Sequence, residues 1–182
     1  MWRRREYGCR VSLALRNVLF TIVVPGAGAV YAPWLILTHA GANPQPVAWY
    51  ALILVALGLA LYAWCLWLFA TVGRGTPAPW DAPRRFVAVG PYRWVRNPIY
   101  IAALIVVVGE AWLFLSLPLL AYAGAVAVGC HFFVVWYEEP ALHTLFGDDY
   151  DDYRHNVSRW IPRPPTKGRL SSPPEARSGG SR

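Results

Sequence analysis

Two polar motifs in this chain combine residue types that can bind a charged ligand, and each stands at the end of a long apolar segment. The first is residues 90–100, GPYRWVRNPIY, and the second is the pair Glu138 and Glu139. Arg96 and the free N–H groups of a helix that begins near Pro98 would hold a carboxylate or phosphate. The motifs predict a cofactor or ligand site at the edge of a membrane, and they favour a membrane-embedded enzyme.

Both motifs also have simpler explanations. Pro98 suits the first turn of a helix, Asn97 could cap that helix, and the arginines could anchor the membrane surface. Glu138 and Glu139 could form a solvated helix end. However, an acidic pair opposes the negative surface potential at the inner face of a membrane, and adjacent helical residues point about 100° apart. We therefore expect one glutamate to bind a ligand and the other to pair with an arginine of the preceding loop.

The apolar segments that must position these motifs predict an all-α integral membrane protein. Hydrophobic residues make up 56% of the 182 residues and charged residues 15%, unlike the composition of soluble domains. Apolar blocks cover residues 11–38, 47–72, 99–116 and 118–137. A helix needs about 20 residues to cross ~30 Å of hydrocarbon, so we expect about four transmembrane helices. The last two blocks are divided only by Ser116–Pro118 and should form a helical hairpin.

The basic residues predict the orientation of the protein in the membrane. The formal net charge is +7, and Arg or Lys residues cluster in the first sixteen positions, between residues 74 and 96, and from residue 163 onward. Because these clusters alternate with the apolar blocks, the positive-inside rule places both termini and the loop 73–98 in the cytoplasm. The pattern favours membrane lipids, and not nucleic acid, as partners. It does not indicate an oligomeric state.

The chain beyond the hairpin predicts a surface helix followed by a tail. Apolar residues recur at three- and four-residue steps between 140 and 160, which is typical of an amphipathic helix along the membrane surface. They are Leu142, Leu145, Phe146, Tyr150, Tyr153 and Val157. Residues 163–182 are expected to be a disordered basic tail. The expected domain is 1–162, made of a cytoplasmic cofactor loop (73–98), the hairpin (99–139) and the amphipathic segment (140–160).

Other residues that could carry chemistry are weaker candidates. Glu110 lies inside an apolar block, where an acid faces a cavity or partner, unless it reaches outer water at the hairpin turn. Residues 148–152 (DDYDD) match the DDxxD pattern of magnesium–diphosphate sites, but there is no second acidic cluster, and a solvated helix face is favoured. The four histidines lack metal-ligand spacing and the three cysteines lack paired spacing, so neither a metal site nor a disulfide is expected. His131 is expected to be hydrogen-bonded in a helix interface.

The ordered motifs resemble the isoprenylcysteine carboxyl methyltransferase family, which is related to the membrane phospholipid methyltransferases. The likeness rests on GPYRWVRNPIY, the hairpin, the glutamate pair and a final segment carrying Phe146-Gly147, Tyr150, Tyr153 and Arg159-Trp160-Ile161-Pro162. It covers residues 73–163. The resemblance implies that S-adenosylmethionine binds on the cytoplasmic side and that a methyl group passes to a lipidic or isoprenoid-bearing acceptor.

Carried over by position, the resemblance implies a cofactor pocket and a smaller catalytic set. The cofactor-binding residues would be Gly90, Tyr92, Arg96, Asn97, Pro98, Tyr100, Glu138 and Glu139, the catalytic residues Arg96, Glu139 and Arg159, and Gly73 and Gly75 are further candidates. The eukaryotic carboxyl methyltransferases have His where this chain has Asn97. Asparagine can hydrogen-bond but cannot titrate, so a positioning role would be kept and a proton-transfer role would be lost.

The residue types suit the methyl donor, which joins a sulfonium cation to an amino-acid tail and an adenosine. A glutamate would accept hydrogen bonds from the ribose or pair with the ammonium group, Arg96 would hold the carboxylate, and Arg159 would guide an anionic headgroup. An ionised carboxylate acceptor needs no base, whereas an amine or phenol acceptor needs one, for which Glu139 or Tyr100 is nearest. Carboxyl O-methylation is the expected reaction and phospholipid N-methylation the closest alternative. An NADPH-dependent membrane reductase and a non-enzymatic membrane scaffold are the alternatives of another class.

Overall fold

A computed structural model describes residues 3–39, 48–78 and 85–164, with side chains from residue 15 onward in these ranges and at residue 13. Seven α-helices occur in this part of the chain, and no strand does. They are α1 (Arg3–Gly26), α2 (Ala32–His39), α3 (Leu52–Leu68), α4 (Pro98–Leu113), α5 (Leu117–Phe133), α6 (Glu139–Phe146) and α7 (Asp148–Asn156). The expected all-α class is confirmed. The predicted disordered tail lies outside the described residues from 165 onward.

Wider π-helical turns join several of these helices into longer continuous runs. One turn (Ala27–Tyr31) connects α1 to α2, and another (Val134–Glu138) connects α5 to α6. Each lies close to a proline, Pro25 before the first and Pro140 after the second. Since proline lacks the N–H that would bond four residues back, a locally widened turn lets the helix continue past it.

Three of the resulting runs are long and apolar enough to cross a membrane: Leu15–His39, Trp49–Gly73 and Leu117–Phe146. The fourth apolar helix, α4, has 16 residues and would span about 24 Å. Large apolar side chains on the long runs are exposed, including Ile22 and Trp67, as expected where hydrocarbon replaces water. The predicted integral membrane architecture is confirmed.

The long third run differs from the sequence-based expectation at its inner end. Glu138 and Glu139 were expected to close the last apolar helix, but the run continues through them to Phe146. The helix can continue because the Glu139 carboxylate is paired with arginines and so does not need water. The amphipathic segment is also divided into α6 and α7 at Gly147, whose φ of +53° suits glycine and whose N–H caps α6 by bonding to the oxygen of His143 (2.9 Å).

Two glycines let α3 and α4 pack closely at the centre of the bundle. A Cβ on Gly58 of α3 would lie 2.8 Å from Val106 Cγ2 and 2.9 Å from the oxygen of Ala102. A Cβ on Gly109 of α4 would lie 2.8 Å from Val55 Cγ2. Small residues on facing helices allow this approach in a membrane, where association depends on close packing. The contact fixes the start of α4 relative to the end of α3.

The end of the bundle that carries the arginine-rich loop is held together by aromatic side chains. Phe86, from the loop before α4, packs against Phe146, Tyr150 and Tyr153 with ring centroids 5.3, 6.0 and 4.9 Å apart. Tyr150 and Tyr153 are buried. The α7 helix therefore covers the loop, and the space between them and the end of α5 forms the candidate site.

Candidate functional site

The arginine-rich motif begins with a turn that requires glycine. Gly90 has a φ of +59°, and a Cβ there would lie 2.9 Å from Leu68 Cδ1. The helical turn Gly90–Arg93 follows, and its Tyr92 ring packs edge-on against Phe69 with centroids 5.7 Å apart. Gly90 thus shapes the loop against α3, while Tyr92 is directed toward the site.

Asn97 and Pro98 start α4, but not quite as the sequence suggested. Pro98 takes the first helical position as predicted, and Asn97 takes the preceding cap position. The prediction that the Asn97 side chain caps the helix is wrong, because it makes no cap hydrogen bond. Its Nδ2 instead donates to the backbone oxygen of Arg159 at 3.2 Å. Asn97 therefore ties the start of α4 to the segment that follows α7.

Glu139 is the centre of a three-residue charge network. Its Oε1 accepts hydrogen bonds from Arg96 Nη1 (2.9 Å) and Arg159 Nε (2.7 Å), and its Oε2 accepts one from Arg159 Nη2 (2.9 Å). The side chains of Glu139 and Arg96 are 9% and 11% exposed. Hydrogen bonding to Glu139 raises the pKa of Arg159 above its usual value, so Arg159 stays charged. This is the glutamate that pairs with an arginine of the loop, as expected of one member of the pair.

Glu138 has a different environment, although it is the neighbouring residue. Its Oε2 accepts a hydrogen bond from the hydroxyl of Tyr100 at 2.7 Å. Within the described ranges it forms no salt bridge. The pair therefore consists of one neutralised carboxylate and one that has a single neutral donor.

A pocket joins these groups at the level of the loop. It contains about 880 Å³ of space, including the part that opens to solvent. Its polar lining residues are Tyr92, Arg96, Asn97, Tyr100, Tyr137, Glu138, Glu139, Tyr150 and Tyr153, and its apolar ones are Phe69, Pro77, Ala78, Phe86, Val87, Phe133, Val134, Ala141, Leu142 and Leu145. The pocket is thus mostly apolar, with a few charged groups located at the start of α4 and the start of α6.

Six of the predicted cofactor-binding residues line this pocket: Tyr92, Arg96, Asn97, Tyr100, Glu138 and Glu139. The other predicted site residues do not. Gly90 and Pro98 build the backbone beside it, and Arg159 contacts Glu139 from behind. Gly73 and Gly75 lie at the end of α3, where the Gly75 N–H bonds to the oxygen of Phe69 (3.2 Å), a residue of the pocket wall.

The aromatic wall was not predicted as part of the site. Phe69, Phe86, Phe133, Tyr137, Tyr150 and Tyr153 all line the pocket. Tyr150 and Tyr153 could have been identified from the sequence as buried residues, since they belong to the apolar face of the predicted amphipathic segment. Phe86 is the only aromatic residue in the stretch 81–91, and nothing periodic surrounds it. Burial raises the pKa of Tyr92, Tyr150 and Tyr153, so these phenols are neutral hydrogen-bonding groups.

The buried Nε of Arg96 has no hydrogen-bond partner in the described part of the chain, whereas the Tyr92 hydroxyl is hydrogen-bonded with the Cys65 thiol. A donor left unpaired in an apolar site is costly unless a ligand satisfies it. Together, Arg96 and Glu138 offer a bound molecule a cationic donor and a carboxylate. These are the groups that suit a zwitterionic amino-acid tail, so the residues present fit the expected cofactor.

The remaining candidates lie outside the pocket. Asp151 pairs with His143 (3.0 Å) and Arg154 (3.7 Å) on the exposed side of α7. Over the described ranges no group of three metal-ligating side chains occurs. His131 accepts a hydrogen bond from Trp160 Nε1 at 3.0 Å; it is hydrogen-bonded as predicted, but its partner belongs to the segment after α7 and not to a helix. Glu110 is partly buried, and its Oε2 has no partner among the described residues.

Comparison with known protein families gives a match. A family model described as phospholipid methyltransferase matches residues 46–149, which is more than half of the 182 residues. The matched range includes α3, α4, α5, α6 and the whole arginine-rich loop. It confirms the resemblance drawn from the motifs at the level of the family. No curated protein and no solved structure matches the chain.

Proposed function

Because this chain belongs to the phospholipid methyltransferase family, we propose that its pocket binds S-adenosylmethionine and that it methylates a lipidic acceptor. Membership in the family makes it a membrane methyltransferase. The proposal adds the cofactor, the residues that bind it and the chemical class of the acceptor. When bound, S-adenosylmethionine would supply a methyl group on a sulfonium centre. An acceptor attacks the methyl carbon in line, and the sulfur leaves as a thioether.

The observation that carries the proposal is the pairing of charges in the pocket. Arg96 holds Glu139 with Nη1 and leaves a buried Nε unpaired, so it can donate to the cofactor's carboxylate. Glu138 has only the Tyr100 hydroxyl as a partner within the described residues, so it can accept from the ammonium group or the ribose. A guanidinium and a free carboxylate in one apolar pocket match both ends of the cofactor's amino-acid tail.

The position of the pocket supports a lipidic acceptor. Phe133 and Tyr137 line it and are also 38% and 50% exposed on the surface of a membrane-spanning run. One wall of the pocket is therefore in contact with the bilayer. An apolar chain could lie between helices there while its headgroup reaches the charged residues. We place this end of the bundle in the cytoplasm, since Arg74, Arg85 and Arg93 are exposed at the same end.

Carboxyl O-methylation is our first candidate reaction. An ionised carboxylate is already nucleophilic, so this chain's residues would need only to hold it close to the methyl group. Of the groups that could act as a base, Glu139 is fully occupied by two arginines. Asn97, which stands where the related carboxyl methyltransferases have His, donates to a backbone oxygen and therefore acts as a positioning group.

Phospholipid N-methylation is the second candidate, favoured by the family that matches and by the Tyr100–Glu138 contact (2.7 Å). An ammonium headgroup must lose a proton before it can attack. A buried carboxylate with one neutral donor can accept that proton. The two reactions thus place different demands on Glu138.

One assay separates these possibilities. Purified protein in nanodiscs is given S-adenosylmethionine carrying a labelled methyl group, with either an S-farnesyl cysteine derivative bearing a free carboxylate or phosphatidylethanolamine. Label that base releases as methanol identifies a methyl ester, and base-stable label in the lipid identifies N-methylation. Binding is measured in parallel by calorimetry, with NADPH as the competing ligand and Arg96→Ala as the test variant. Failure of folded protein to bind S-adenosylmethionine would refute the proposal, and binding of NADPH instead would indicate a reductase.

A further inference from the structure

The residues that follow α7 turn back and fasten onto the arginine-rich motif. We call residues 158–163 the C-terminal clasp. The N–H of Arg96 donates to the oxygen of Ser158 (2.9 Å), and the N–H of Arg163 donates to the oxygen of Trp94 (2.9 Å). These two hydrogen bonds run in antiparallel order along the two segments. The Asn97 side chain adds a third link to the oxygen of Arg159 (3.2 Å).

Arg159 extends from the clasp to the back of the pocket wall. Its guanidinium contacts both oxygens of Glu139 in a two-pronged arrangement (2.7 and 2.9 Å). Arg159 is 31% exposed, whereas Glu139 is 9% exposed, and of the two only Glu139 lines the pocket. Two donors of Arg159 are on Glu139, and this contact gives Arg159 a role other than the guidance of an acceptor headgroup that the sequence suggested.

The geometry of Glu139 also constrains Arg96. Arg96 Nη1 shares Oε1 of Glu139 with Arg159 Nε. Because Arg159 fixes both carboxylate oxygens, Glu139 has little freedom to rotate, and the Arg96 guanidinium is held in one direction. The clasp is also anchored to α5, since the neighbouring Trp160 Nε1 donates to His131 Nδ1 (3.0 Å).

We propose that Arg159 is a positioning residue that sets cofactor affinity through Glu139 and Arg96 without touching the cofactor. The inference rests on the proposed function, in which Arg96 binds the carboxylate of the amino-acid tail. It predicts that the clasp affects recognition of that tail and leaves recognition of the adenosine unchanged.

Two ligands that differ only in the tail test this. S-Adenosylhomocysteine and 5′-methylthioadenosine are both adenosine thioethers, but only the first carries the amino-acid carboxylate. Their dissociation constants are measured by calorimetry, without acceptor, for the full chain and for Arg159→Ala, Arg159→Lys and Arg96→Ala. The matched control is Arg154→Ala, because Arg154 is an exposed arginine of α7 that pairs only with Asp151 among the described residues.

We expect Arg159→Ala to weaken S-adenosylhomocysteine binding about tenfold and to change methylthioadenosine binding less than about twofold. Arg159→Lys should fall between the alanine variant and the wild type, since lysine cannot form the two-pronged contact. The double variant Arg96→Ala/Arg159→Ala should be no weaker than Arg96→Ala alone, because the effect passes through Arg96. Arg154→Ala should bind both ligands as the wild type does.

Four results would overturn the inference. Equal weakening of both ligands in Arg159→Ala would mean general damage to the fold, and unchanged binding of both would mean that the clasp does not reach the cofactor site. If the alanine variant does not fold, the same two dissociation constants are measured for Arg159→Lys and Trp160→Phe. If both variants prefer S-adenosylhomocysteine over methylthioadenosine as strongly as the wild type does, the role of the clasp is refuted. Wild-type protein that binds neither ligand would instead refute the proposed function, and the inference with it.

Discussion

Tyr153 on α7 donates its hydroxyl hydrogen to the backbone oxygen of Tyr92 at 2.7 Å. Both residues are buried and both line the pocket. This single hydrogen bond joins α7 to the helical turn Gly90–Arg93 that opens the arginine-rich motif. The helix that covers the pocket is therefore attached to the loop that lines it.

Replacement of Tyr153 by phenylalanine should therefore destabilise the protein. The ring would still fill its place, but the buried oxygen of Tyr92 would lose a donor, which costs about 1–2 kcal/mol. In thermal unfolding in detergent we expect a decrease in Tm of roughly 2–8 °C. Tyr31→Phe is the control, since Tyr31 is exposed on the membrane surface of the first run and should change Tm very little. Equal Tm values for Tyr153→Phe and the wild type would contradict the structural role.

Tyr100→Phe should weaken S-adenosylmethionine binding. Within the described ranges, the Tyr100 hydroxyl is the donor that orients Glu138, and hydrogen bonds to charged groups contribute about 1.5–3 kcal/mol. We expect the dissociation constant to rise about tenfold or more. Tyr122→Phe removes a comparable hydroxyl, one that donates to Gly28 at 2.8 Å away from the pocket, and should leave binding unchanged. An equal effect of the two variants would rule out a direct role for the Tyr100–Glu138 contact.

Glu139→Gln should lower stability more than removal of an exposed acid. The change keeps the shape of the side chain but leaves two partly buried guanidinium groups without a counter-charge, which costs about 2–3 kcal/mol. Asp151→Asn breaks an exposed ion pair with Arg154 and an exposed hydrogen bond with His143 and should cost less than about 1 kcal/mol. Unfolding in increasing SDS, followed by far-UV circular dichroism, measures both. A smaller loss for Glu139→Gln than for Asp151→Asn would show that the network does not stabilise the fold.

Gly58→Ala should disturb the packing of α3 against α4. The new Cβ would lie 2.8 Å from a side-chain methyl of Val106 and 2.9 Å from a backbone oxygen of Ala102. Since a backbone atom cannot move aside, we expect a loss of about 1–3 kcal/mol. Gly124→Ala on α5 has no atom within 4 Å of its new Cβ and should be neutral or stabilising by up to about 1 kcal/mol. The same thermal assay compares the two, and a Gly58→Ala protein as stable as Gly124→Ala would contradict the close packing.

Much of the fold followed from the sequence because its signals are local. Continuous apolar length identified the membrane-spanning runs, and the fixed φ and missing N–H of Pro98 marked the start of α4. Six of the predicted cofactor-binding residues line one pocket because they are grouped in two short motifs. The local pattern did not show that the last run passes through the glutamate pair, since that depends on Arg96 and Arg159 reaching Glu139 from distant positions.

The sequence could not provide the contacts that form only when a distant segment of the chain, such as the clasp or α7, folds over the loop. Asn97 had the residue type of a helix cap, but the clasp places the oxygen of Arg159 within reach of its side chain, and that bond is formed instead. Phe86 had no periodic neighbours to mark it, and it becomes part of the pocket wall only because α7 folds over the loop. The different partners of Glu138 and Glu139 likewise depend on which helix ends face each side chain.

The C-terminal clasp has a consequence for the order in which the protein is made. During synthesis, the three membrane-spanning runs found in the described residues are complete before residue 159 leaves the ribosome. At that stage Glu139 has Arg96 as its only arginine partner from this network. Arg159 and the links from residues 158–163 can form only afterward. A nascent chain that has already entered the bilayer would therefore carry an incompletely fixed pocket wall, and residues 158–163 would complete it.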